Sequence, residues 1–393
     1  MDGTLEQPVH NASRGAMPDL QKAVPFRLAD NLKHYIAVFC VSLAILTAGV
    51  AADHTQRMDE LLYINAARAF IAGTPSTNIE HPPFAKYLIA ISIKIFGDTP
   101  LGYRFSSGLA GALIALSGFG LTLRLTRSRH SATIAWLLLL ANGFLFVESR
   151  SANLIIFQTA FEVAGVWAFA IALEENAPGW LAWSAWTWAG VLLGLSVASR
   201  WCGVTTLVVC GLYSLLRSRR VTKGLVLMAA SSLAAYVVTW IPLLVREHRS
   251  LAYLFTANRY ILVSHALYRQ NMVDVRASDP WWAWMFRFDQ PAGLMQLMAN
   301  PFVASLGLLA LLALLWQRKP LLPALYALHM IQWALAHSLP EYYYYYLDAF
   351  TWLTIGLAVA MHGVSFKRIQ LDVIVTACAL GSALWPLWIA LRH

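Results

Sequence analysis

Long apolar runs follow one another along most of the chain, and short polar segments separate them. A helix of about 20 apolar residues crosses the ~30 Å hydrocarbon core of a bilayer. The pattern predicts an all-α polytopic membrane protein with about eleven spans. We place these spans at 35–52, 105–123, 132–147, 154–173, 181–198, 202–216, 224–245, 302–316, 321–336, 347–361 and 371–391.

Basic residues in alternate short connections predict the orientation of the bundle. Cytoplasmic connections of membrane proteins are enriched in Lys and Arg. Four connections have this character, and only the connection with Glu174 and Glu175 lacks basic residues on the same side. The N-terminus is therefore predicted to be cytoplasmic and the C-terminus external. The basic residues are Arg124, Arg127 and Arg129; Arg217, Arg219, Arg220 and Lys223; Arg318 and Lys319; and Lys367 and Arg368.

Composition agrees with a membrane protein: 59% of residues are hydrophobic and only 12% are charged, about half the charged fraction of a soluble domain. We attribute the net charge of +9 to basic residues in the connections, which orient the bundle in the membrane. No nucleic-acid partner is therefore expected. The four cysteines lie in or beside apolar runs without metal-ligand spacing. We divide the chain into a cytoplasmic tail, 1–34, and a transmembrane domain, 35–393.

Two predicted external segments, 53–103 and 246–301, are too long to be simple turns. The first contains a helical stretch over 59–71, a His-Pro-Pro turn at 81–83 and an apolar stretch over 84–96. That last stretch is too short to span and predicts a helix lying in the membrane interface. The second segment includes Trp281 and Trp282, which fit either an interfacial aromatic belt or a surface that stacks on a sugar.

The adjacent carboxylates Asp59 and Glu60 are candidates for chemistry, since repulsion and poor solvation near a membrane favour a general base. Acidic residues that begin a helix are the equal alternative. The rigid turn at His81 would aim Glu80, His81 and Lys86 back toward the acidic pair.

Arg104, Arg150 and Arg200 each lie near the external end of a predicted span. Arginine at membrane depth usually meets an anion or a partner carboxylate. Three arginines on one side of the membrane predict a site for a lipid phosphate. A single arginine could instead extend its charge to the membrane surface, or pair with a carboxylate, as Arg150 could with Glu148. The tyrosine run 342–346 fits either interfacial anchoring or the lining of a substrate cavity.

Several segments together resemble the protein O-mannosyltransferase family, GT-C glycosyltransferases that use polyprenyl-phosphate sugars. The resemblance extends over most of the chain, which has no room for the luminal insert of eukaryotic members and so is similar to short prokaryotic ones. The segments are MDELLYI, EHPPFAKYLIAISIKIFG, YRFSSGLAGAL, FVESRSANLIIF, GLSVASRWCGV, DPWWAW and YYYYLDAF.

This resemblance implies transfer of mannose or another hexose from a polyprenyl phosphate to a protein Ser/Thr or a glycolipid. It implies inversion at the anomeric carbon, no metal and no cofactor beyond the lipid-linked sugar. Asp59 would be the base and Glu60 would position a substrate, with Arg104, Arg200 and Arg150 near the donor phosphate. The implied pocket residues are Glu80, His81, Lys86, Trp201, Trp281, Trp282, Tyr345 and Tyr346.

The implied location is the plasma membrane, with the active site on the extracytoplasmic side. Two other functions remain open from the residues. A transporter or flippase could use the same intramembrane arginines to pass an anionic lipid, and a non-catalytic assembly factor could keep the fold without the activity.

Overall fold

The computed structural model describes residues 31–55, 59–174, 179–271, 281–282, 300–335, 343–362, 364–366 and 369–392, so most of the predicted tail lies outside the described residues. Within these ranges fifteen α-helices form a bundle, with one short hairpin of two antiparallel strands, Ser365–Phe366 and Ile369–Gln370. The helices are α1 (Leu32–Thr47), α2 (Glu60–Ala72), α3 (Phe84–Phe96), α4 (Pro100–Thr126), α5 (Arg129–Leu140), α6 (Gly143–Glu148), α7 (Leu154–Ala172), α8 (Gly179–Ser199), α9 (Val204–Ser218), α10 (Lys223–Arg246), α11 (Ala252–Asn271), α12 (Pro301–Trp316), α13 (Leu321–Leu335), α14 (Leu347–Ala360) and α15 (Leu371–Arg392).

Six helical segments of the described chain are long and apolar enough to cross a membrane, and α12, α13 and the first part of α15 are shorter apolar helices. A polytopic all-α membrane protein is therefore confirmed, while the number of eleven spans stays a prediction. The six segments are Leu32–Ala52, Pro100–Thr126, Leu154–Ala172, Gly179–Ser199, Trp201–Ser218 and Lys223–Arg246.

One predicted span is interrupted. The stretch 132–147 was predicted as a single helix, but α5 ends at Leu140 and α6 begins at Gly143. Asn142 caps α6, because its side-chain oxygen accepts hydrogen bonds from the backbone amides of Phe144 and Leu145 at 3.0 and 3.3 Å. The prediction of one continuous helix here is wrong, since the capping asparagine starts a new helix inside the apolar run.

α4, α7, α8 and α10 pack against one another in this order, and α4 and α7 are the more buried helices of the four. Glycines allow α8 and α10 to approach closely: a Cβ on Gly194 would lie 2.3 Å from the carbonyl oxygen of Ser232. Small residues at crossing points are the usual means of helix packing within membranes. α14 is buried along its whole length against α12, α13 and α5.

Polar contacts mark the two ends of the bundle. At the end of α4, Arg124 and Arg127 both pair with Glu174, so two predicted cytoplasmic connections meet there. At the other end, the backbone amide and hydroxyl of Ser76 donate to Glu247 Oε1 at 2.9 and 2.6 Å. Arg246 donates to the same carboxylate oxygen at 2.7 Å. The two long segments predicted to be external therefore lie side by side.

Both helices predicted in the first long segment are present. α2 follows Asp59 and ends before Gly73, whose φ of +70° favours glycine. α3 covers the whole predicted stretch, and it buries Ala85, Lys86 and Ile89 against the bundle. Its position in the membrane interface stays a prediction.

Candidate functional site

Arg104, in the first turns of α4, is fully buried and saturated with acceptors. Its Nε and Nη2 donate to the two oxygens of Glu60 at 2.7 and 2.8 Å. Nη1 donates to the carbonyl of Asp53 at 2.6 Å, and Nη2 to the carbonyl of Thr55 at 2.5 Å. Glu60 also accepts from the backbone amide of Ala152 at 2.8 Å. We call these five residues the Glu60–Arg104 clasp, which joins α2, α4 and the segment before α7.

Asp59 is adjacent to this clasp in sequence, but its side chain has a hydrogen-bond partner outside the clasp. Its side chain makes no capping hydrogen bond to α2. Instead its Oδ2 accepts a hydrogen bond of 2.5 Å from the hydroxyl of Tyr344. Burial raises the pKa of Tyr344 well above its ordinary value, so this phenol remains a donor. The carboxylate is thereby held at a fixed place beside the start of α2.

Arg200 follows α8 in an extended conformation and is 7% exposed. Its guanidinium carbon lies 4.1 Å from the ring centroid of Tyr345 and 5.5 Å from that of Trp333. These two rings stack at 4.6 Å. Among the described residues, Arg200 Nη1 has no hydrogen-bond partner and no carboxylate lies within ion-pair distance. Cation–π contacts stabilise the charge without using its N–H donors, so the cation is kept available.

The three residues Trp333, Tyr344 and Tyr345, which we call the aromatic wall, connect Asp59 with Arg200. Tyr344 and Tyr345 meet edge to face at 4.6 Å. Tyr344 is bonded to Asp59, and Tyr345 lies under Arg200. Tyr63 on α2 lies within electrostatic range of both the carboxylate and the cation. An anionic acceptor of protons and an available cation therefore line one site.

The His-Pro-Pro turn closes another side of this site. Lys86 is buried and donates to the carbonyls of Asn78 and His81 at 2.5 and 2.8 Å, which fixes the turn. Burial lowers the pKa of Lys86 to about 7, with Glu80 acting in the opposite direction. Burial, followed by the positive field of Arg200, lowers the pKa of His81 well below its ordinary value, so its ring is neutral.

A small cavity of about 30 Å³ lies beside the turn, between α2, α3, α10 and α11. His81 and Lys86 supply polar groups, and Phe70, Trp240 and Tyr253 are among its apolar lining. The neutral imidazole of His81 therefore lies at the edge of a mainly apolar pocket.

Of the residues predicted from the sequence, the structure brings Asp59, His81, Arg200 and Tyr345 into one electrostatic neighbourhood. Glu80 is half-buried and lies within electrostatic range of Lys86. These placements agree with the predicted pocket, although the roles of the residues stay predictions.

Other predicted residues lie in different surroundings. Trp201 donates its indole N–H to Tyr236 at 3.1 Å in an aromatic cluster with α10 and α11. Tyr346 is fully buried, and its hydroxyl lies 3.2 Å from that of Tyr326. Arg150 donates to the carbonyl of Ala48 and lies over Phe146.

The two tryptophans predicted in the second long segment lie in different surroundings. Trp281 packs against the main core, and Trp282 is 59% exposed. The neighbouring residues, 272–280 and 283–299, lie outside the described ones. Their predicted contact with a sugar therefore stays a prediction.

Sequence reasoning missed Tyr344, Trp333 and His265, although each borders the site. His265 lies 5.2 Å from His81, ring to ring. The tyrosine run was noticed, but its members were equivalent in sequence. The short 3₁₀ turn Tyr343–Tyr346 sends neighbouring side chains in different directions, and only the fold selects Tyr344 for Asp59.

Comparison with known proteins supports the resemblance seen in the motifs. Residues 80–245 match the family model described as dolichyl-phosphate-mannose-protein mannosyltransferase. A polyprenol-phosphate-mannose–protein mannosyltransferase of Mycolicibacterium smegmatis is 35% identical over 158 residues, 35% of this chain and 30% of the relative. One of Corynebacterium glutamicum is 31% identical over 172 residues, 39% of this chain and 33% of the relative. The chain spans about a third of the length of the curated relatives it matches.

Two solved structures share the fold over nearly the whole chain. ArnT from Cupriavidus metallidurans, bound to undecaprenyl phosphate, has a TM-score of 0.63 at 15% identity and covers 93% of this chain and 71% of its own. The apo oligosaccharyltransferase of Archaeoglobus fulgidus has a TM-score of 0.54 at 17% identity, with 91% and 55% covered. The predicted GT-C fold and the predicted family resemblance are confirmed.

Proposed function

We propose that this chain is a glycosyltransferase that moves mannose from a polyprenyl phosphate to an acceptor hydroxyl at the extracytoplasmic membrane face. One observation carries the proposal: Asp59 and Arg200, which has no carboxylate partner among the described residues, lie on two sides of the same aromatic wall. The names of the matched relatives, which specify a polyprenol-phosphate-mannose donor and a protein acceptor, support the choice of substrates.

The reaction follows from these two charges. The Asp59 carboxylate takes the proton of the acceptor hydroxyl, and the acceptor oxygen forms a bond to the anomeric carbon. The bond between that carbon and the phosphate oxygen breaks, and the electron pair leaves with the polyprenyl phosphate. Arg200 meets the charge that develops on the leaving phosphate, because guanidinium groups bind phosphate through two parallel N–H donors. Attack opposite the leaving group inverts the anomeric centre.

The Glu60–Arg104 clasp has a positioning role in this proposal. Each nitrogen of the Arg104 guanidinium donates to an acceptor in the clasp, so Arg200 is the principal phosphate contact and Arg104 holds the two ends of the first long segment together. Glu60 is engaged by Arg104 and Ala152 and is not open to substrate. Asp59 is therefore the single proposed base. This division differs from the sequence-based expectation that both arginines bind phosphate.

The direction of the site rests on charge distribution. Arg124 and Arg127, in a predicted cytoplasmic connection, lie at the far end of α4 from Arg104. With the basic end in the cytoplasm, the site faces outward, which in a prokaryote-like protein is the outer side of the plasma membrane. The proposed acceptor is a protein Ser or Thr hydroxyl, and a glycolipid hydroxyl is the alternative.

The test is sugar transfer by the purified protein in nanodiscs, from radiolabelled polyprenyl-phosphate mannose to a Ser/Thr-containing peptide. We expect Asp59→Asn to lower kcat by about 10²–10⁴, the contribution of a general base, with donor affinity retained. Asp98→Asn is the matched control, because Asp98 lies in the same segment but pairs with the exposed Arg68. Full activity of Asp59→Asn would overturn the proposal. So would wild-type protein that moves the donor between leaflets and transfers no sugar.

A further inference from the structure

A second group of ionisable side chains lies inside the bundle and takes no part in the proposed transfer. Glu162 on α7, His329 on α13 and Asp348 on α14 are each 0% exposed. One ligand atom from each lies within 4.8 Å of the others. Ionisable groups inside a membrane bundle are costly and rarely lack a function. Three separate helices thus bring their polar groups to one point.

Charge balance is the first indication of what this point holds. With both carboxylates ionised and the imidazole neutral, the three side chains would carry a charge of −2. Among the described residues, no Lys or Arg lies within ion-pair distance of Glu162 or Asp348, and only His329 does, at 3.7 and 3.0 Å. An uncompensated buried carboxylate is strongly unfavourable. One divalent cation balances the two carboxylates while leaving the imidazole neutral, the form in which histidine binds metals.

The spacing of the polar atoms is the second indication. His329 Nδ1 lies 3.0 Å from Asp348 Oδ2. The amide nitrogen of Gln158 lies 3.0 Å from Glu162 Oε1 and 3.1 Å from Asp348 Oδ2. Ligand atoms bound to one zinc ion at roughly 2.0–2.2 Å in a tetrahedron are about 3.3–3.6 Å apart. Three pairs among these four atoms are therefore within about 0.6 Å of the separation of neighbouring metal ligands.

Gln158 supplies an independent observation. Its side chain is fully buried, and its Oε1 has no hydrogen-bond partner among the described residues. The nitrogen and oxygen of an amide exchange places by a half-turn of the side-chain terminus. That half-turn puts the unpartnered oxygen 3.0 and 3.1 Å from the two carboxylate oxygens, where a bound cation makes the arrangement favourable. The amide then becomes a fourth ligand.

The surroundings also match those of a bound metal. The second ring nitrogen of His329, Nε2, lies 2.9 Å from the hydroxyl of Thr206. Metal-binding histidines regularly use the other ring nitrogen in this way, which fixes the ring. Ser196 donates to Glu162 Oε1 at 3.5 Å. Each of the outer partners comes from a helix, α8 or α9, that packs next to the cluster.

We propose that Glu162, His329, Asp348 and the amide oxygen of Gln158 bind one zinc-class divalent cation within the transmembrane bundle. The ion joins α7, α13 and α14 beneath the site that contains Arg200. Cys202, two residues after Arg200, lies within electrostatic range of Arg200 and of both carboxylates. The ion is structural in this proposal, and its presence does not depend on the transferase activity.

The test measures metal in protein that carries no polyhistidine tag, reconstituted in nanodiscs, stripped with a chelator and reloaded with Zn²⁺ or Co²⁺. We expect one equivalent of zinc per chain by elemental analysis and a higher thermal midpoint of unfolding after reloading. Cobalt should give the intense visible absorption of a tetrahedral site. Because these measurements use the wild-type protein, they do not depend on whether any variant folds.

Glu162→Gln and His329→Gln should each lower bound zinc at least tenfold. Asp372→Asn is the matched control, since Asp372 is also a buried aspartate beside a histidine, His130, at 2.8 Å, and should keep one equivalent. Wild-type protein that binds no zinc, whether or not the cluster takes up a proton instead, would overturn the proposal. So would zinc that persists in His329→Gln.

Discussion

Arg104 and Arg200 are both buried near the same end of the bundle, yet their surroundings differ completely. Arg104 has Glu60 and two backbone carbonyls around its guanidinium. Arg200 has two aromatic rings and, among the described residues, no carboxylate. Removal of a charge from water is unfavourable unless partners replace the lost hydration. Arg104, whose hydrogen-bond donors have acceptors in the protein, therefore stabilises the fold. Arg200 retains the capacity to bind an anion.

Lys86 stands between these two cases. It is as buried as Arg200, and within the described part of the chain its ammonium donates to neutral oxygens, chiefly the carbonyls of Asn78 and His81. Burial lowers the pKa of Lys86 to about 7, because carbonyl partners replace the lost hydration less well than a carboxylate does. The three cations thus differ in their partners, which are a carboxylate for Arg104, carbonyl oxygens for Lys86 and aromatic rings for Arg200. This difference makes the comparison open to experiment.

The largest expected effect is at Arg104. We expect Arg104→Met to lower the free energy of unfolding by about 3–5 kcal/mol, because it leaves the buried Glu60 without its cation. Arg68→Gln is the control, and removal of that exposed pair should change stability by less than about 1 kcal/mol. Denaturant unfolding in mixed micelles measures both. If Arg104→Met lowers the free energy of unfolding no more than Arg68→Gln does, Arg104 does not have the structural role that distinguishes it from Arg200.

The next effect is a pH dependence at Lys86. Its pKa is about 7 in the folded protein and 10.5 in the ordinary state, so between these pH values the unfolded chain binds the additional proton. Stability of the wild type relative to Lys86→Met should therefore rise with pH, by about 1.4 kcal/mol per unit between pH 7 and 9.

The same unfolding measurement at pH 7, 8 and 9 gives this slope. Lys94→Met, an exposed position at the end of α3, should show no such trend. A flat difference between wild type and Lys86→Met would mean that Lys86 keeps its charge throughout, and that its carbonyl partners suffice.

The smallest expected effect is at Arg200. We expect Arg200→Gln to weaken binding of a polyprenyl phosphate by about 10- to 100-fold, the value of roughly 1.5–3 kcal/mol for hydrogen bonds to a charged group. Thermal stability should remain near that of the wild type, since no carboxylate is orphaned. Isothermal titration with a short-chain prenyl phosphate measures the affinity. Unchanged affinity together with a large loss of stability would place Arg200 in the same class as Arg104.

The helices of this fold were largely predictable because apolar periodicity and length determine them. The short helix α3 begins and ends at the bounds that the apolar stretch predicted. The break before α6 was not predicted, since Asn142 lies within an apolar run and acts only through local capping. The polar side chain of Asn142 therefore ended one helix and began another, although the surrounding run 132–147 is apolar.

The sequence indicated several residues of the candidate site but not the partners that the fold gives to each of them. Asp59, His81 and Arg200 carry distinctive neighbours in the sequence. The division of labour between Arg104 and Arg200 depends on which acceptors surround each guanidinium, and that is a property of packing. The pairing of Glu162 with His329 and Asp348 is likewise invisible in one dimension, because the three lie on separate helices with apolar neighbours.

The hydrogen bond between Asp59 and Tyr344 joins positions 285 residues apart. At translation rates of about 5–20 residues per second, Asp59 leaves the ribosome roughly 15–60 s before its partner. During that interval the nascent chain can already contain α2, α4 and the clasp between them. The aromatic wall arrives only with the later helices. A partly synthesised chain therefore has its carboxylate in place without the aromatic wall, so the proposed site is completed only late in biogenesis.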